Sequence, residues 1–228
     1  MKIMTFNIQS GREYPDIEKI NLDFCGKVIK KYSPDFIGIN EINNGGIYGE
    51  QIKELSEKTG YPYYFFGKAI LIFGEHDYGN AFMSKYPLKD TENFIVPDPE
   101  IKDEDVYYET RGIIKTVLSD GTRIFVTHMG LARAERQNSV RLLLKLIGEN
   151  PRKTIVMGDF NMTENDEDLK PLTDILVDWN KENCPTFPSD KPDIKIDYIL
   201  TSPDILVTSA RVIPDVGSDH RAYMIEVG

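Results

Sequence analysis

The stretch TIVMGDFNM, residues 154–162, starts as an apolar run and ends in Gly158-Asp159-Phe160-Asn161. Its apolar part is typical of a buried strand. Side chains alternate between the two faces of an extended chain, so Asp159 and Asn161 should point the same way. Two polar side chains on one face at the end of a buried strand either cap a turn or reach into a site. The rest of the sequence has to decide between these two interpretations.

Many short segments with apolar alternation or β-branched residues predict further strands. These segments are 2–8, 36–42, 63–67, 80–84, 92–97, 112–119, 123–129, 154–160, 195–201, 205–213 and 222–227. Asp120-Gly121 lies between the sixth and the seventh segment and predicts a hairpin turn there. The charged, proline-containing loop 96–112 is expected to be a long excursion at one end of the fold.

Helical spacing of apolar residues predicts helices within 14–35, 49–60 and 132–151. In the first segment, the spaced residues are Ile17, Ile20, Phe24, Val28 and Ile29. Many strands with helices inserted between them favour an α+β fold in which two sheets pack face to face with helices outside. No repeat or linker-like stretch interrupts the chain, so a single domain over residues 1–228 is expected.

Composition narrows the function classes. The formal net charge of −10 and the pI of about 4.9 exclude a strong basic footprint over the whole chain, although a local patch is compatible with them. Cys25 and Cys184 lie far apart and match neither a zinc spacing nor a disulfide framework. The apolar start is too short for a signal peptide, and no stretch approaches the ~20 apolar residues that span a bilayer. A reducing, cytoplasmic setting is therefore expected.

Polar or ionisable residues recur where apolar strands finish, inside the run 195–201 and just before the last strand. They are Asn7, Glu41, His128, Asp159, Asn161, Asp197, Asp219 and His220. Taken singly, each has an ordinary structural interpretation as a turn residue, a structural histidine or a solvated carboxylate. Asp197 is the exception, because apolar residues surround it in sequence and a charge buried there needs a partner.

Taken together, these residues form one chemical inventory. Oxygen donors from several strands suit a hard cation such as Mg²⁺ or Mn²⁺. Two histidines and further acids can supply charge stabilisation and proton transfer. The combination predicts metal-assisted hydrolysis of a phosphoester, provided that the fold brings the strand ends together.

The order of the motifs carries a resemblance over nearly the whole chain. In sequence order they are TFNI, NEI, GNAFMSKYPL, ETRG, THMGL, GDFN, IDYIL and SDH. The chain resembles the endonuclease/exonuclease/phosphatase superfamily, which includes deoxyribonuclease I, exonuclease III-type repair nucleases, sphingomyelinases and inositol polyphosphate 5-phosphatases. This resemblance implies a four-layer αββα sandwich built on two mixed, mostly antiparallel sheets.

The resemblance also implies a metal site. Glu41 resembles the main metal ligand, Asn7 would line the site, and Asp219 stands where the family places an additional metal-facing acid. The implied cofactor is Mg²⁺ or Mn²⁺. Arg111 is implied as a contact to the substrate phosphate.

Catalytic roles follow from the same resemblance. Asp159 would orient or deprotonate the attacking water, and Asn161 would hold phosphate or water. His220 would bind the scissile phosphate, with Asp197 as its hydrogen-bonded partner. His128 matches the second histidine of the phosphodiesterase and deoxyribonuclease branches.

Departures from the family pattern bear on the substrate. Gln9 stands where repair nucleases carry an acid, which weakens a second metal position, and Asn40 precedes Glu41 where Gln is commoner. No Lys/Arg-rich loop with interleaved aromatic residues is present to straddle a duplex. We therefore expect a phosphodiesterase or phosphatase that acts on a small molecule or a lipid headgroup.

Other functions stay open at the level of sequence. A nuclease acting on DNA or RNA is the main alternative, and a catalytically silent binding module of the same fold is a further one. A purely structural interpretation would require every polar strand end to match the family order by coincidence. The sequence does not indicate the oligomeric state.

Overall fold

The computed structural model describes residues 1–102 and 105–228. Strands β1 to β14 run, in chain order, over Lys2–Asn7, Arg12–Glu13, Asp16–Ile20, Phe36–Gly45, Tyr63–Ile72, His76–Ser84, Lys89–Ile95, Gly112–Val117, Arg123–His128, Thr154–Asp159, Val177–Asp178, Asp197–Thr201, Val207–Val212 and Tyr223–Val227. Helices α1 to α4 cover Leu22–Tyr32, Gln51–Thr59, Arg133–Ile147 and Lys170–Thr173.

Two six-stranded sheets share one topological plan. The first has the strand order β13-β14-β1-β4-β6-β5, and the second has the order β11-β12-β10-β9-β8-β7. In each sheet one central pair is parallel, β1 with β4 and β10 with β9, and the other pairs are antiparallel. Parallel neighbours end at the same edge of a sheet, so each sheet delivers two strand ends to one edge.

Apolar side chains form three layers of core. The layer between the sheets takes alternate residues of both, such as Ile3, Ile114 and Ile155. Helices α1 and α2 cover the outer face of the first sheet, and α3 and α4 cover the outer face of the second. These layers confirm the predicted α+β fold, a four-layer αββα sandwich. The layers form because each amphipathic helix buries its apolar stripe on one sheet face.

The local sequence signals identify most elements correctly. Each predicted strand segment overlaps an observed strand. Asp120-Gly121 forms the β8–β9 turn, where Gly121 has φ +85°. Gly60 ends α2 in the left-handed conformation, as a glycine after a helix commonly does. Cys25 is a buried core residue of α1, and burial raises the pKa of its thiol to about 12.

The prediction of a helix through 14–35 is wrong in its first third. Residues Asp16–Ile20 form β3, which pairs with β2, and Ile17 is 47% exposed instead of facing a core. The helix begins only after Asn21, whose side-chain oxygen accepts a hydrogen bond from the backbone N–H of Asp23. The spacing of Ile17 and Ile20 suited both a helix and a short strand, and the asparagine cap with tertiary pairing decided between them.

The segment between β7 and β8 is the long charged excursion that the sequence predicts. Its base is closed by a hydrogen bond of 2.8 Å from the backbone N–H of Val96 to the carbonyl oxygen of Arg111. Part of the predicted 96–112 loop, residues 103–104, lies outside the described residues. Within the described residues, no helix is both long enough and apolar enough to cross a bilayer.

Candidate active site

Strand ends from both sheets meet at one end of the sandwich. Asn7 ends β1 beside Asn40 of β4, and Asp159 ends β10 directly between His128 of β9 and Asp197 of β12. Asp159 is therefore flanked on its own sheet by a histidine and a carboxylate as cross-strand neighbours. Parallel pairing in the middle of each sheet brings these remote residues together.

Asn7 joins carboxylates of the two sheets. Its side-chain nitrogen donates to Oε1 of Glu41 and to Oδ2 of Asp159, both at 3.0 Å. Its oxygen accepts from the backbone N–H of Gln9 at 3.1 Å, which fixes which end of the amide faces the acids. Glu41 and Asp159 are thus held on either side of one amide group.

A β-bulge in β4 directs Glu41 into this cluster. Ile39 pairs with Ala81 and Ile42 pairs with Gly79, so Asn40 and Glu41 together oppose one residue of β6. Glu41 takes a positive φ of 56°, a conformation rarely seen for a residue with a side chain. Bulges of this kind commonly re-aim side chains beside active sites.

Asn40 links the two sheets by hydrogen bonds next to the site. Its oxygen accepts the backbone N–H of Asp159 at 2.9 Å. Its nitrogen donates to Oδ1 of Asn80 at 2.8 Å and to the carbonyl of Thr127 at 3.0 Å. Since all these groups are buried, the network fixes the backbone that carries Asp159.

The Gly158–Asn161 segment is both a turn and a site. Gly158 has φ +143°, and a Cβ atom there would lie 1.7 Å from the carbonyl oxygen of Thr127, so only glycine fits. Asn161 has φ +49°, and its backbone N–H donates to Oδ1 of Asp159 at 3.0 Å. The two interpretations of this segment are therefore not exclusive, because the turn itself presents Asp159 to the cluster.

His220 and Asp197 form a buried pair. Nδ1 of His220 lies 2.9 Å from Oδ2 of Asp197, and its Nε2 points to Oδ2 of Asp159 at 3.6 Å. Burial alone would lower the pKa of His220, but the negative charges of Asp197 and Asp159 outweigh burial and raise that pKa to about 10. The imidazole is therefore cationic at neutral pH.

The pKa of His128 is shifted in the opposite direction. Its Nδ1 lies 3.1 Å from Nη1 of Arg111 and its Nε2 lies 3.2 Å from Nδ2 of Asn161. Nη1 of Arg111 and Nδ2 of Asn161 are both donors, so neither can accept a hydrogen bond from the ring. Burial and the positive charge of Arg111 hold the pKa of His128 well below its ordinary value, so this ring is neutral. Arg111 is itself paired with Glu109 at 2.7 Å.

Asp159 and Glu41 carry raised pKa values. Burial raises the pKa of Asp159 to about 7, although the charge of His220 opposes the shift. Burial also raises the pKa of Glu41 above its ordinary value, against the hydrogen bond from Asn7. Crowded, desolvated carboxylates of this kind are stabilised in their ionised form when a cation binds them.

Two groups of side chains have ligand atoms within 4.8 Å of one another: Glu41 with His128 and Asp159, and Asp159 with Asp197 and His220. The second group contains a cationic imidazole already paired with Asp197, which opposes a metal ion. The first group combines two carboxylates with a neutral imidazole. Its donor set fits a divalent cation, and its oxygen atoms suit Mg²⁺ or Mn²⁺.

The structure gathers Asn7, Glu41, Arg111, His128, Asp159, Asn161, Asp197 and His220 at this end of the fold. Asp219 lies at the margin. Its Oδ1 accepts from the hydroxyl of Ser218 at 2.9 Å, and its charge raises the pKa of Glu41. It belongs to neither cluster of ligand atoms within the described part of the chain.

Sequence reasoning did not assign Asn80, Glu109 or Tyr78. Asn80 donates to the carbonyl of Gly112 at 3.0 Å and so extends the buried network across the sheets. A signal existed for Asn80, since it directly precedes the apolar run Ala81–Met83 of β6. Glu109 stands two residues before Arg111 in ETRG, but only the fold shows that the two side chains pair.

Two helix-covered mixed sheets with carboxylates and imidazoles at one end define the deoxyribonuclease I-like class of α+β sandwiches. The chain belongs to the endonuclease/exonuclease/phosphatase family, whose sequence profile matches residues 4–220. Members of this family are hydrolases that act on phosphoester bonds.

Individual relatives share limited sequence identity with this chain. The chain is similar to the uncharacterized protein YbhP of Escherichia coli K12, with 27% identity over 135 residues. That match covers 56% of this chain and 53% of YbhP, so the chain spans about half the length of the curated relative it matches.

Solved structures match over the whole chain. An endonuclease/exonuclease/phosphatase from Beutenbergia cavernae superimposes with a TM-score of 0.84 at 20% identity, over 100% of this chain and 71% of that one. A mannosyl-6-phosphatase from Bacteroides thetaiotaomicron gives 0.76 at 19% identity, over 100% and 99% of the two chains. At these identities the likeness shows a shared fold.

Proposed function

We propose that this protein is a divalent-metal-dependent phosphoester hydrolase, a phosphodiesterase or phosphatase. One observation carries the proposal. Glu41 and Asp159 are bridged by Asn7, and Asp159 faces one cationic and one neutral histidine. Phosphoester hydrolysis needs a positioned water and positive charge where the phosphate oxygens become more negative, and this cluster provides groups for both.

Glu41 and Asp159 would hold Mg²⁺ or Mn²⁺, with His128 beside them and Asp219 as a more distant acid. Asn7 would orient the two carboxylates by donating to both, since its oxygen is occupied by Gln9. When bound, the cation would neutralise phosphate charge and make the phosphorus more open to attack.

Asp159 would orient the attacking water beside the bound cation. Its Oδ1 is held by the backbone N–H of Asn161, which leaves Oδ2 directed at the histidines. The carboxamide of Asn161 would hold the phosphate or the water, and its link to the carbonyl of Met129 at 2.9 Å limits its motion.

His220 would donate to the scissile phosphate and stabilise the charge that develops there. Asp197 keeps the ring oriented and positively charged. His128 would act as a neutral hydrogen-bond donor, and Arg111 would contact the phosphate. Loss of one such stabilising group typically costs on the order of 10²–10³ in rate.

A small molecule or a lipid headgroup is our favoured substrate. The net charge of −10 disfavours non-specific binding to a nucleic acid backbone. We also retain one domain over residues 1–228 and a cytoplasmic setting as predictions. Unpaired Cys25 and Cys184 are compatible with a reducing compartment.

The direct test is hydrolysis of bis-p-nitrophenyl phosphate and p-nitrophenyl phosphate, with supercoiled plasmid DNA in parallel. We expect release of p-nitrophenol with Mg²⁺ or Mn²⁺, loss of activity with a chelator and recovery when metal is restored. No hydrolysis of any phosphoester would contradict the proposal. Plasmid nicking at comparable efficiency would instead favour a nuclease.

A matched pair of variants links the activity to the site. Asp159→Asn is nearly isosteric and should abolish turnover while leaving the circular dichroism spectrum unchanged. Asp90→Asn is the control, because Asp90 is exposed on β7, and it should keep wild-type activity. Wild-type-like turnover by Asp159→Asn would remove Asp159 from the mechanism.

A further inference from the structure

Tyr78 lies on the face of β6 that looks toward the second sheet. Its neighbour two residues on, Asn80, donates to the carbonyl of Gly112 in that sheet. Side chains two residues apart along a strand share a face, so Tyr78 also points between the sheets. Tyr78 pairs with Asn43, beyond the bulge that carries Glu41, and it therefore stands at the active-site end.

The surroundings of Tyr78 are those of the site. Tyr78 lines a small cavity together with Glu109, Arg111 and His128. The charges of Glu41, Arg111 and Asp159 all act on its hydroxyl. The proposed function gives Glu41, Asp159, Arg111 and His128 roles in binding metal, water or phosphate.

The hydroxyl of Tyr78 has no hydrogen-bond partner within residues 1–102 and 105–228. The residue is only 8% exposed, so its ring is almost wholly buried. Tyr198 and Tyr223 have enclosed, unpartnered hydroxyls, but the hydroxyl of Tyr78 is not enclosed. A buried ring thus holds a single free hydroxyl at the edge of the site.

We propose that Tyr78 is a substrate-binding residue, whose hydroxyl donates a hydrogen bond to a nonbridging oxygen of the bound phosphoester from the side of Arg111 and His128. This inference rests on the proposed phosphoester hydrolase function. A phosphate oxygen is a complementary acceptor, because a hydroxyl without a hydrogen-bond partner has its proton available to donate. Burial raises the pKa of Tyr78 well above its ordinary value, so the proton is retained at neutral pH.

Tyr78 would contribute to binding and leave the chemical step to other groups. Its hydroxyl is neutral, and it contacts an oxygen that bears charge in both the bound substrate and the transition state. Such uniform binding lowers KM and leaves kcat nearly unchanged. A net hydrogen bond of this kind corresponds to roughly a five- to tenfold effect.

The test is Tyr78→Phe, which removes only the hydroxyl and keeps the buried ring. With bis-p-nitrophenyl phosphate and Mg²⁺, KM should rise about five- to tenfold while kcat stays within about twofold. The inhibition constant of inorganic phosphate should rise by a similar factor. Tyr223→Phe is the matched control, because it loses an enclosed hydroxyl from the same inter-sheet layer, and it should change neither quantity.

Calorimetric titration of inorganic phosphate into both proteins with Mg²⁺ separates this inference from the proposed function. If the wild type hydrolyses no phosphoester, the proposed function fails, while weaker phosphate binding by Tyr78→Phe would still support a phosphate contact. Equal phosphate affinity of wild type and Tyr78→Phe, or an unchanged KM, would overturn the inference.

Discussion

Nε2 of His220 and Nε2 of His128 both lie 3.6 Å from the same oxygen atom, Oδ2 of Asp159. The two rings nevertheless carry different charges, because His220 contacts the carboxylate of Asp197 and His128 contacts the guanidinium of Arg111. Environments that push the pKa values of two like groups apart commonly assign them separate chemical roles. At this site the cationic ring can stabilise phosphate charge, whereas the neutral ring can only donate or accept a hydrogen bond.

The first prediction separates the two histidines. Gln carries an N–H donor near the position of Nε2 but no charge, so it can mimic a neutral imidazole and not an imidazolium. His128→Gln should reduce kcat/KM by less than about tenfold, and His220→Gln should reduce it by about 10²–10³. Initial rates with bis-p-nitrophenyl phosphate provide the comparison. Equal losses in the two variants would show that charge does not distinguish the rings.

The second prediction concerns Asp197, which is buried beneath His220. Asp197→Ala leaves a buried imidazole without its partner, so we expect a loss of about 3 kcal/mol in the free energy of unfolding and a large loss of activity. Urea unfolding and steady-state rates measure the two effects. In Asp197→Asn the pKa of His220 should fall, because its main negative neighbour is gone, and NMR titration of the ring would detect this. If stability falls and activity does not, Asp197 is a core residue only.

The third prediction links metal binding to pH. Burial raises the pKa of Asp159 to about 7, and that of Glu41 rises in the same direction. A carboxyl group whose folded-state pKa is raised binds its proton more tightly when folded. Its contribution to stability is therefore present at low pH and is lost as pH rises from about 4 toward 7.

A divalent cation can replace that proton. Mg²⁺ should therefore raise the melting temperature more at pH 8 than at pH 5.5, because metal and proton compete for the same oxygens. Differential scanning calorimetry at both pH values gives the measurement. Asp159→Asn should abolish most of the pH dependence of this metal effect. A Mg²⁺ shift of equal size at the two pH values would argue against Asp159 and Glu41 as the binding groups.

The fourth prediction tests the strained turn at Asn161, which has a positive φ. Asn161→Ala and Asn161→Gly both remove the carboxamide, but only alanine resists this backbone conformation. The alanine variant should be less stable than the glycine variant by roughly 1 kcal/mol. Both should lose activity to a similar degree, because both lack the amide. Chemical denaturation and rate measurements on the pair separate backbone strain from chemistry, and a glycine variant with wild-type rates would exclude a role for the amide.

Part of the fold can be predicted from the sequence because its signals are local. The alternation in 154–160 and the Asp120-Gly121 turn are short-range patterns that report directly on backbone geometry. Ile17 and Ile20 show where such signals fail, since the same spacing suits a helix and a strand. The bulge at Glu41 had no local signal, because it depends on how β4 pairs with β6.

The candidate site likewise contains residues that the sequence predicts and residues that only the structure shows. GDFN and SDH indicated Asp159 and His220, since these motifs and their order along the chain are visible in sequence. Tyr78 and Glu109 were not assigned, because their importance lies in which side chains they face across the sheets. Asn7 was predicted at the metal site, but the direction of its amide toward two carboxylates is a tertiary fact.

Sequence patterns specify most of the strands and the oxygen and nitrogen donors next to them, whereas short strands such as β3 form only through tertiary pairing. Only the tertiary structure decided that His220 is charged and His128 is neutral. Charge on an imidazole depends on burial and on neighbours within a few ångströms, and those neighbours come from strands far apart in the chain. Local sequence patterns indicate most of the backbone conformation, whereas the electrostatic character of a site arises only when the two sheets have packed.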